Sequence, residues 1–480
     1  MVIAFQSDLQ PVIPAYGGGS SASVIHPLVL VALCVLFGLI FVLPKRHAIV
    51  PITLGILLIP SGQNLYIAGA HFFTFRLIIL MGLLRVLTSR SSREPFLAGG
   101  ILLVDKVFLI WVVTQAVCQV IRYPTGGAAV NACAILLDSA GGYILFRVLL
   151  RTLPDVQRYI SLLAIVAVVA SLVMLNEART GHNILGLLGG IREMSDVRNG
   201  RIRAQGIFQH SILAGAFGAS SFPLFLALWM TGKSKVMAGV GAVASVVMVF
   251  ASTSSTPVGS LIGCIMAIGF WPLRKQMRTV RWSLLGLFIA VALVMKSPVW
   301  YVLAHFDFVG GSGGWDRANL LDNCWRHIGD WWLIGTGDNW KWGYDMFDAC
   351  DEFVAAAVNG GVLGLSLFIA IISISFRTLG QARRLVKGSS KREWFCWLIG
   401  VSLVTHLFNF LGVFYYDQSQ FVLLALFALA PAISLSLAER RSSVKLSGPA
   451  STVDQSIETS FELAQASLSQ HAELCEVLSC

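Results

Sequence analysis

The sequence predicts an all-α polytopic membrane protein, and three observations support that class. Of the 480 residues, 56% are hydrophobic and only 12% are charged, and the mean hydropathy is +0.75. Apolar runs of about 20 residues, enough to cross a hydrocarbon core of about 30 Å, recur along most of the chain. These runs are continuous rather than alternating, which favours helices over a closed barrel.

Hydropathy predicts about thirteen spans, within a range of twelve to fourteen. They lie near 28–43, 49–66, 72–87, 101–121, 128–150, 159–175, 211–230, 236–251, 257–273, 282–296, 353–376, 394–415 and 420–438. The second is the weakest, because Pro51 and Pro60 interrupt it. We expect no cleavable signal, because the first 26 residues lack a basic segment.

The net charge of +10 is distributed in a way that indicates topology rather than nucleic-acid binding. Basic residues concentrate in alternate connections, namely Lys45/Arg46, Arg85/Arg90/Arg93, Arg147/Arg151/Arg158, Lys233/Lys235, Arg274/Lys275/Arg278/Arg281, Arg377–Arg392 and Arg440/Arg441/Lys445. The positive-inside rule makes these segments cytoplasmic. It places an N-terminal segment 1–27 and the connections 176–210 and 297–352 outside, and a polar tail 439–480 inside.

The longest outer connection is a polar island, defined here as residues 296–352. It contains eight aspartates, the cations Arg317, Arg326 and Lys341, and seven tryptophans. Both charge signs and many flat aromatic faces suit a polar, ring-containing substrate at the membrane surface. The alternative reading of the tryptophans is an interfacial aromatic belt.

The connection 176–210 carries five arginines on the side where the positive-inside rule expects few: Arg179, Arg192, Arg198, Arg201 and Arg203. An exposed or headgroup-facing arginine is one explanation. An anionic ligand is the other, because the planar guanidinium fork matches phosphate oxygens.

Two pairs of polar residues near predicted spans leave alternatives open. Asp138 and Arg76 suit either a functional role or a structural ion pair. His406 and Asn409 either line a cavity or bond neighbouring helices, and we favour the second.

Most of the nine cysteines are scattered in predicted spans, whereas Cys324 and Cys350 both lie in the island. In an oxidising compartment this pair can form a disulfide. No CxxC or Cys/His spacing indicates a metal site.

Three short motifs occur in a fixed order along the outer connections. They are Glu177-Ala-Arg-Thr180-Gly181, then Arg203-Ala-Gln-Gly206-Ile-Phe208, then Arg317 followed by Gly335-Thr-Gly337 and the stretch from Cys350 to Gly364. With this order and topology, residues 70–435 resemble the O-antigen ligase and O-antigen polymerase superfamily, the Wzy/WaaL-like membrane glycosyltransferases.

The resemblance implies a GT-C-like bundle with a large periplasmic loop between late spans, in the bacterial inner membrane. It implies a donor glycan linked through pyrophosphate to a polyprenol, with Arg203 and Arg317 on the pyrophosphate and Arg201 and Arg326 as further candidates. Positive groups there stabilise the departing pyrophosphate, so no metal or other cofactor is expected. Expected partners are the lipid-linked glycan, membrane lipid, and a chain-length regulator or other polysaccharide assembly proteins.

The chain departs from that family at two places. Where ligases commonly carry a His-Asn pair, with the histidine as base for the acceptor hydroxyl, this sequence has Cys350-Asp351. Where the family often has Ser-Arg entering the ninth span, the sequence reads Ser254-Ser255-Thr256-Pro257.

The group that activates the acceptor therefore stays open between several residues. Asp351 or Glu352 suits the role if burial raises its pKa. His327 and a Cys350 thiolate are further choices, and a Cys324–Cys350 disulfide would make Cys350 structural. A sufficiently dissociative transition state needs no strong base.

The resemblance thus predicts an inverting, metal-independent glycosyltransferase, and the missing histidine favours a polymerase of exopolysaccharide or O-antigen repeats over a ligase. The alternative from another class is a transporter or flippase of lipid-linked or anionic solutes. Such proteins usually show internal repeats, and none is evident here.

Overall fold

The protein is described by a computed structural model covering residues 23–67, 69–89, 95–232, 234–305, 308–309, 313–343, 346 and 349–446. Most of the predicted N-terminal segment 1–27 and of the predicted tail 439–480 lies outside the described residues. Within them, His26 caps the first helix, and the last helix continues to Leu446.

Helices make up most of the described chain. They are α1 Pro27–Val42, α2 Ile49–Leu58, α3 Thr74–Thr88, α4 Leu103–Arg122, α5 Gly126–Ile135, α6 Gly142–Leu149, α7 Leu153–Thr180, α8 Ser211–Met230, α9 Lys235–Ala251, α10 Ser255–Gly269, α11 Met277–Val294, α12 Gly314–Arg326, α13 Ile328–Trp331, α14 Glu352–Leu385, α15 Ser390–Phe410 and α16 Gln418–Leu446. A π-helical turn at Leu136–Gly141 joins α5 to α6.

The strands form two small antiparallel hairpins outside the helices. The first pairs β1 Asn64–Ile67 with β2 Ala70–Phe73, and the second pairs β3 Asp196–Arg198 with β4 Arg201–Arg203.

Seven helices in the described part of the chain are long and apolar enough to cross a membrane: α4, the continuous α5–α6, α7, α8, α11, α14 and α16. Helices α1, α9 and α10 are apolar but shorter. The protein is therefore an all-α, multi-span membrane protein. Helices α8 and α16 are largely buried inside the bundle, whereas α11 has no buried residue.

The predicted second span, 49–66, is wrong. Helix α2 ends at Leu58, because Ile59 is extended in front of Pro60, which cannot continue the helix. Ten helical residues measure about 15 Å, which is too short to cross a membrane alone. The remainder of the segment turns and enters β1.

The basic connections gather at one end of the bundle. There, arginine side chains bond backbone carbonyls at neighbouring helix ends: Arg85 to Ile40, Arg151 to Phe96, Arg158 to Arg46, and Arg383 to Arg274. Arg151 precedes α7 and Gly181 follows it, about 42 Å away along 28 helical residues. The residue 181–210 connection therefore lies at the opposite end.

The same opposite end collects the island and the short connections. Gln209 donates to Ser61 Oγ at 2.9 Å, Arg201 donates to the Val309 carbonyl at 2.9 Å, and the Tyr415 N–H donates to Glu352 at 2.7 Å. The two long outer connections predicted from charge are thus close neighbours in the fold.

Helix α14 is broken at Gly361, whose backbone has φ 64° and ψ −164°. In a regular helix the Val362 N–H would bond the Val358 carbonyl. Here Val362 donates to the Trp332 carbonyl at 2.9 Å, and Val358 accepts from the Thr336 N–H at 2.8 Å. The kink therefore docks the Gly-x-Gly turn of the island onto α14.

We expect Gly361→Ala to destabilise the protein by about 1–3 kcal/mol, because only glycine readily adopts this backbone conformation. An added Cβ would also lie 2.5 Å from the Leu333 carbonyl oxygen. Thermal unfolding of detergent-purified protein measures the effect. Gly380→Ala on the same helix is the control, because its Cβ meets nothing within 4 Å. Equal melting temperatures for the two variants would contradict the assigned role of the kink.

Candidate anion-binding and catalytic site

A buried carboxylate, Glu177, organises the first outer connection. It lies near the end of α7, is 0% exposed, and accepts hydrogen bonds from the backbone N–H groups of Gln205 (3.1 Å) and Gly206 (2.7 Å) and from Ser195 Oγ (2.9 Å). The Glu177 side chain therefore joins two of the sequence motifs, Glu177-x-x-Thr-Gly and Arg203-x-x-Gly-x-Phe. This contact fixes the backbone directly after Arg203.

Arg203 lies on β4 with its side chain 5% exposed, and its Nη1 donates to Asp196 Oδ2 at 2.9 Å. Burial lowers the pKa of Arg203, repulsion from Arg198 lowers it further, and Asp196 acts in the opposite direction. Arginine keeps its proton in proteins, so this environment favours binding of an additional anion.

Arg317 reaches the same region from the first turn of α12. Its Nε lies 3.1 Å from the point where a Cβ on Gly412 would be, and Thr256 Oγ1 lies 2.4 Å from that point. Burial lowers the pKa of Arg317, and repulsion from Arg198 and Arg203 contributes in the same direction. Arg317, Arg198 and Arg203 therefore lie close enough for their charges to interact.

The end of the island lies beside these arginines. Asp351 caps α14, with Oδ1 accepting from the N–H groups of Phe353 (2.7 Å) and Val354 (3.0 Å). Its Oδ2 is buried without a hydrogen-bond partner, and the residue is 1% exposed. Burial raises the pKa of Asp351 to about 7, although the two cap bonds and the charge of Arg317 oppose the shift. A carboxyl that titrates near neutral pH suits general-base chemistry.

Glu352 is held by a different network. Its Oε2 accepts the Tyr415 N–H, and the Tyr415 hydroxyl bonds His406 Nδ1 at 2.8 Å and accepts from Asn409 Nδ2 at 3.1 Å. Asn409 also donates to the Ala216 carbonyl of α8 at 3.1 Å. His406 and Asn409 thus bond neighbouring elements, as predicted, and they fix the backbone that holds Glu352.

Two other candidates, Arg326 and His327, have contacts outside this cluster. Arg326 is 69% exposed and pairs with Asp322; it follows Arg317 by nine residues, about half a helical turn round α12 and about 13 Å further along. His327 Nδ1 lies 2.9 Å from the Asn323 carbonyl, and its ring stacks on Trp342. These contacts do not bring either side chain to Arg203, Arg317 or Asp351, and the roles of Arg326 and His327 in the site stay predictions.

Arg201 lies at the margin of the cluster. It is exposed, and it ties the β3–β4 hairpin to the island through the Val309 carbonyl.

Cys324 and Cys350 are not joined by a disulfide, so the bridged alternative is not observed. Both side chains contribute to one small apolar cluster with Trp331, Trp342 and Met346. Burial raises the pKa of Cys324 to about 12, with Asp351 acting in the same direction, which suits a neutral thiol. Cys350 acts electrostatically on Arg317 and so lies close to the arginine cluster.

Sequence reasoning missed several residues of the site. Asp196 and Arg198 enter through the cross-strand register of the hairpin, and Thr256 and Tyr415 enter through the packing of the helix ends. Only the excess of arginines in the first outer connection signalled Arg198 beforehand. Asp138 and Arg76 form an ion pair at 2.8 Å, the structural alternative named for them.

The described residues contain no group of three or more His, Cys, Asp or Glu side chains able to hold a metal ion. Comparison of the chain with protein-family models and with curated proteins gives no match.

We expect Glu177→Gln to loosen the backbone after Arg203, because the amide has one acceptor oxygen where the carboxylate has two. The loss leaves buried N–H groups of Gln205 and Gly206 poorly paired, at a cost of about 1–3 kcal/mol. Hydrogen exchange of peptides covering residues 195–210 measures it. Glu193→Gln, an exposed residue of the same connection, is the control. Unchanged protection in Glu177→Gln would refute the clamp.

Proposed function

We propose that the protein is an inverting membrane glycosyltransferase that extends a glycan carried on polyprenyl pyrophosphate. The proposal is supported by the charge of Arg317, which interacts both with Arg203, from a different connection, and with the buried carboxyl of Asp351. Two half-buried or buried guanidinium groups suit a pyrophosphate, and a neighbouring carboxyl suits an acceptor hydroxyl.

The reaction follows from these roles. The acceptor oxygen forms a bond to the sugar C1, and the bond from C1 to the pyrophosphate oxygen breaks. Its electron pair stays on the departing pyrophosphate, where Arg203 and Arg317 offset the new charge. The acceptor proton passes to Asp351 Oδ2, the oxygen not used in the helix cap. The chemistry supplied by these side chains requires no cofactor.

Glu352 and Cys350 have supporting places in this proposal. Glu352 accepts the Tyr415 N–H and adjoins Asp351, so that it helps to fix the start of α14 beside the proposed base. Cys350 lies near Arg317 but occupies the position where a ligase histidine would act. This difference favours a polymerase of exopolysaccharide or O-antigen repeats over an O-antigen ligase.

The proposed setting is the periplasmic face of a bacterial inner membrane. The gathering of basic connections at the other end of the bundle supports this orientation through the positive-inside rule. The proposed partners are a lipid-linked glycan, surrounding lipid and a chain-length regulator or other assembly protein. A flippase or transporter is the alternative, and the transfer assay below separates it by movement of unmodified donor.

We expect Arg203→Ala and Arg317→Ala each to lower transfer at least about 100-fold, because each removes charge stabilisation from the leaving group. Purified protein in nanodiscs is given the lipid-linked oligosaccharide that accumulates in a deletion strain, and released polyprenyl pyrophosphate and chain length are measured. Arg326→Ala, whose side chain is 69% exposed, is the matched control and retains activity. Full-length polymer from both site variants would sink the proposal.

We expect activity to rise with pH through about 7, because the proposed base must lose its proton and burial raises the pKa of Asp351 to about that value. Asp351→Asn keeps the helix cap, since asparagine caps as well as aspartate, but lowers the rate by about 10²–10⁴-fold. The remaining rate of Asp351→Asn does not change with pH near 7. Asp338→Asn, an exposed island carboxylate, is the control. If the transfer rate of Asp351→Asn depends on pH in the same way as that of the wild type, Asp351 is not the base.

A further inference from the structure

The β3–β4 hairpin presents one strongly charged face. Its register pairs Asp196 with Arg203 and Arg198 with Arg201, while Val197 pairs with Ile202. Cross-strand partners lie on the same side of a hairpin and successive residues alternate sides. Three arginines and one aspartate therefore share a face, and the two aliphatic residues share the other.

On this face, Asp196 contacts Arg203 in a specific way. Its Oδ2 accepts from Nη1 only, while the Nε of Arg203 is buried without a hydrogen-bond partner. Among the described residues, Nη2 likewise has no hydrogen-bond partner. In a guanidinium the Nε–H and one Nη2 N–H point the same way and form the edge that binds two oxygens at once.

The burial of the two side chains supports this arrangement. Arg203 is 5% exposed and Asp196 is 47% exposed, so the pair joins a buried guanidinium to a carboxylate that reaches solvent. The Nε of the unused edge is buried. Arg198, on the same face, and Arg317, on α12, add positive charge around it.

We propose that Asp196 is a positioning residue: it holds Nη1 of Arg203 and thereby aims the Nε–Nη2 edge at two oxygens of one phosphate. This inference rests on the proposed function, because it names how the same site grips the pyrophosphate of the donor. Asp196 stays bonded to Arg203 when the donor binds, and it does not touch the reacting atoms.

Two other roles for Asp196 make different predictions. If Asp196 merely occupied the phosphate position, its removal would tighten donor binding. If it only stabilised the hairpin, changes on the aliphatic face would have the same effect as changes at Asp196.

The test compares Asp196→Ala with Asp196→Asn in the transfer assay, with kcat and the donor KM measured separately. Alanine releases Arg203 and lowers kcat/KM about 10- to 100-fold, since a small misplacement of a binding group has costs of that order. Asp196→Asn retains an acceptor oxygen for Nη1, so its kcat/KM stays within about threefold of the wild-type value. That difference is well below a tenfold change, which corresponds to about 1.4 kcal/mol. Val197→Ala, on the other face, is the hairpin control and leaves the kinetics unchanged.

A double variant makes the assignment sharper. Arg203→Lys lacks the Nε–Nη2 edge that binds two oxygens. Adding Asp196→Ala to it therefore causes no further loss of kcat/KM. The idea is overturned if alanine lowers the donor KM, if asparagine loses as much as alanine, or if Val197→Ala loses as much as either.

Binding separates this inference from the proposed function. Stabilisation of the purified protein by polyprenyl pyrophosphate is measured by thermal shift for the wild type and the Asp196 variants. A wild type that binds but transfers no glycan refutes the proposed reaction alone. Wild-type and Asp196→Ala proteins that are stabilised equally refute the positioning role alone.

Discussion

The end of the bundle that carries residues 181–210 depends on the hydrogen bonds made by one buried carboxyl group. Glu177 places a polar carboxyl group where it has no exposure, which is costly unless hydrogen bonds compensate it. Two backbone N–H groups and one hydroxyl do so, and they belong to the residues that flank the β3–β4 hairpin. The hairpin therefore cannot shift without exposing either the carboxylate or its partners, and the position of Arg203 follows from that constraint.

Around this fixed hairpin, charge is unevenly matched. Arg203 has one aspartate, the charge of Arg317 interacts with those of Arg198 and Arg203, and burial works against the charges of Arg203 and Arg317. The nearby Asp351 is tied into a helix cap through one oxygen, and burial favours its neutral form near pH 7. A site of this kind gains from binding an anion, and this is the physical basis on which we propose a lipid-linked pyrophosphate as its ligand.

Much of the fold was accessible from the sequence because lipid imposes a simple rule. Continuous apolar runs must be helical, and the runs around α4, α7, α8, α14 and α16 are long enough to be recognised. The rule failed at residues 49–66, where Pro60 ends α2 after ten residues and the following apolar residues enter a hairpin. Apolar residues suit burial in lipid and burial in protein equally. Hydropathy therefore cannot distinguish a short helix packed inside the protein from a membrane span.

The sequence by itself determined the class of protein and the segregation of basic connections, because these depend on composition and local order, and Arg203, Arg317 and Asp351 became candidates through the resemblance of its motifs to a family. Tertiary structure alone decided which candidates meet. Helical rotation carries Arg326 away from Arg317, strand register brings Asp196 and Arg198 beside Arg203, and loop packing brings Tyr415 to Glu352. These relations depend on angles and contacts between segments distant in sequence, and no local pattern of residues encodes them.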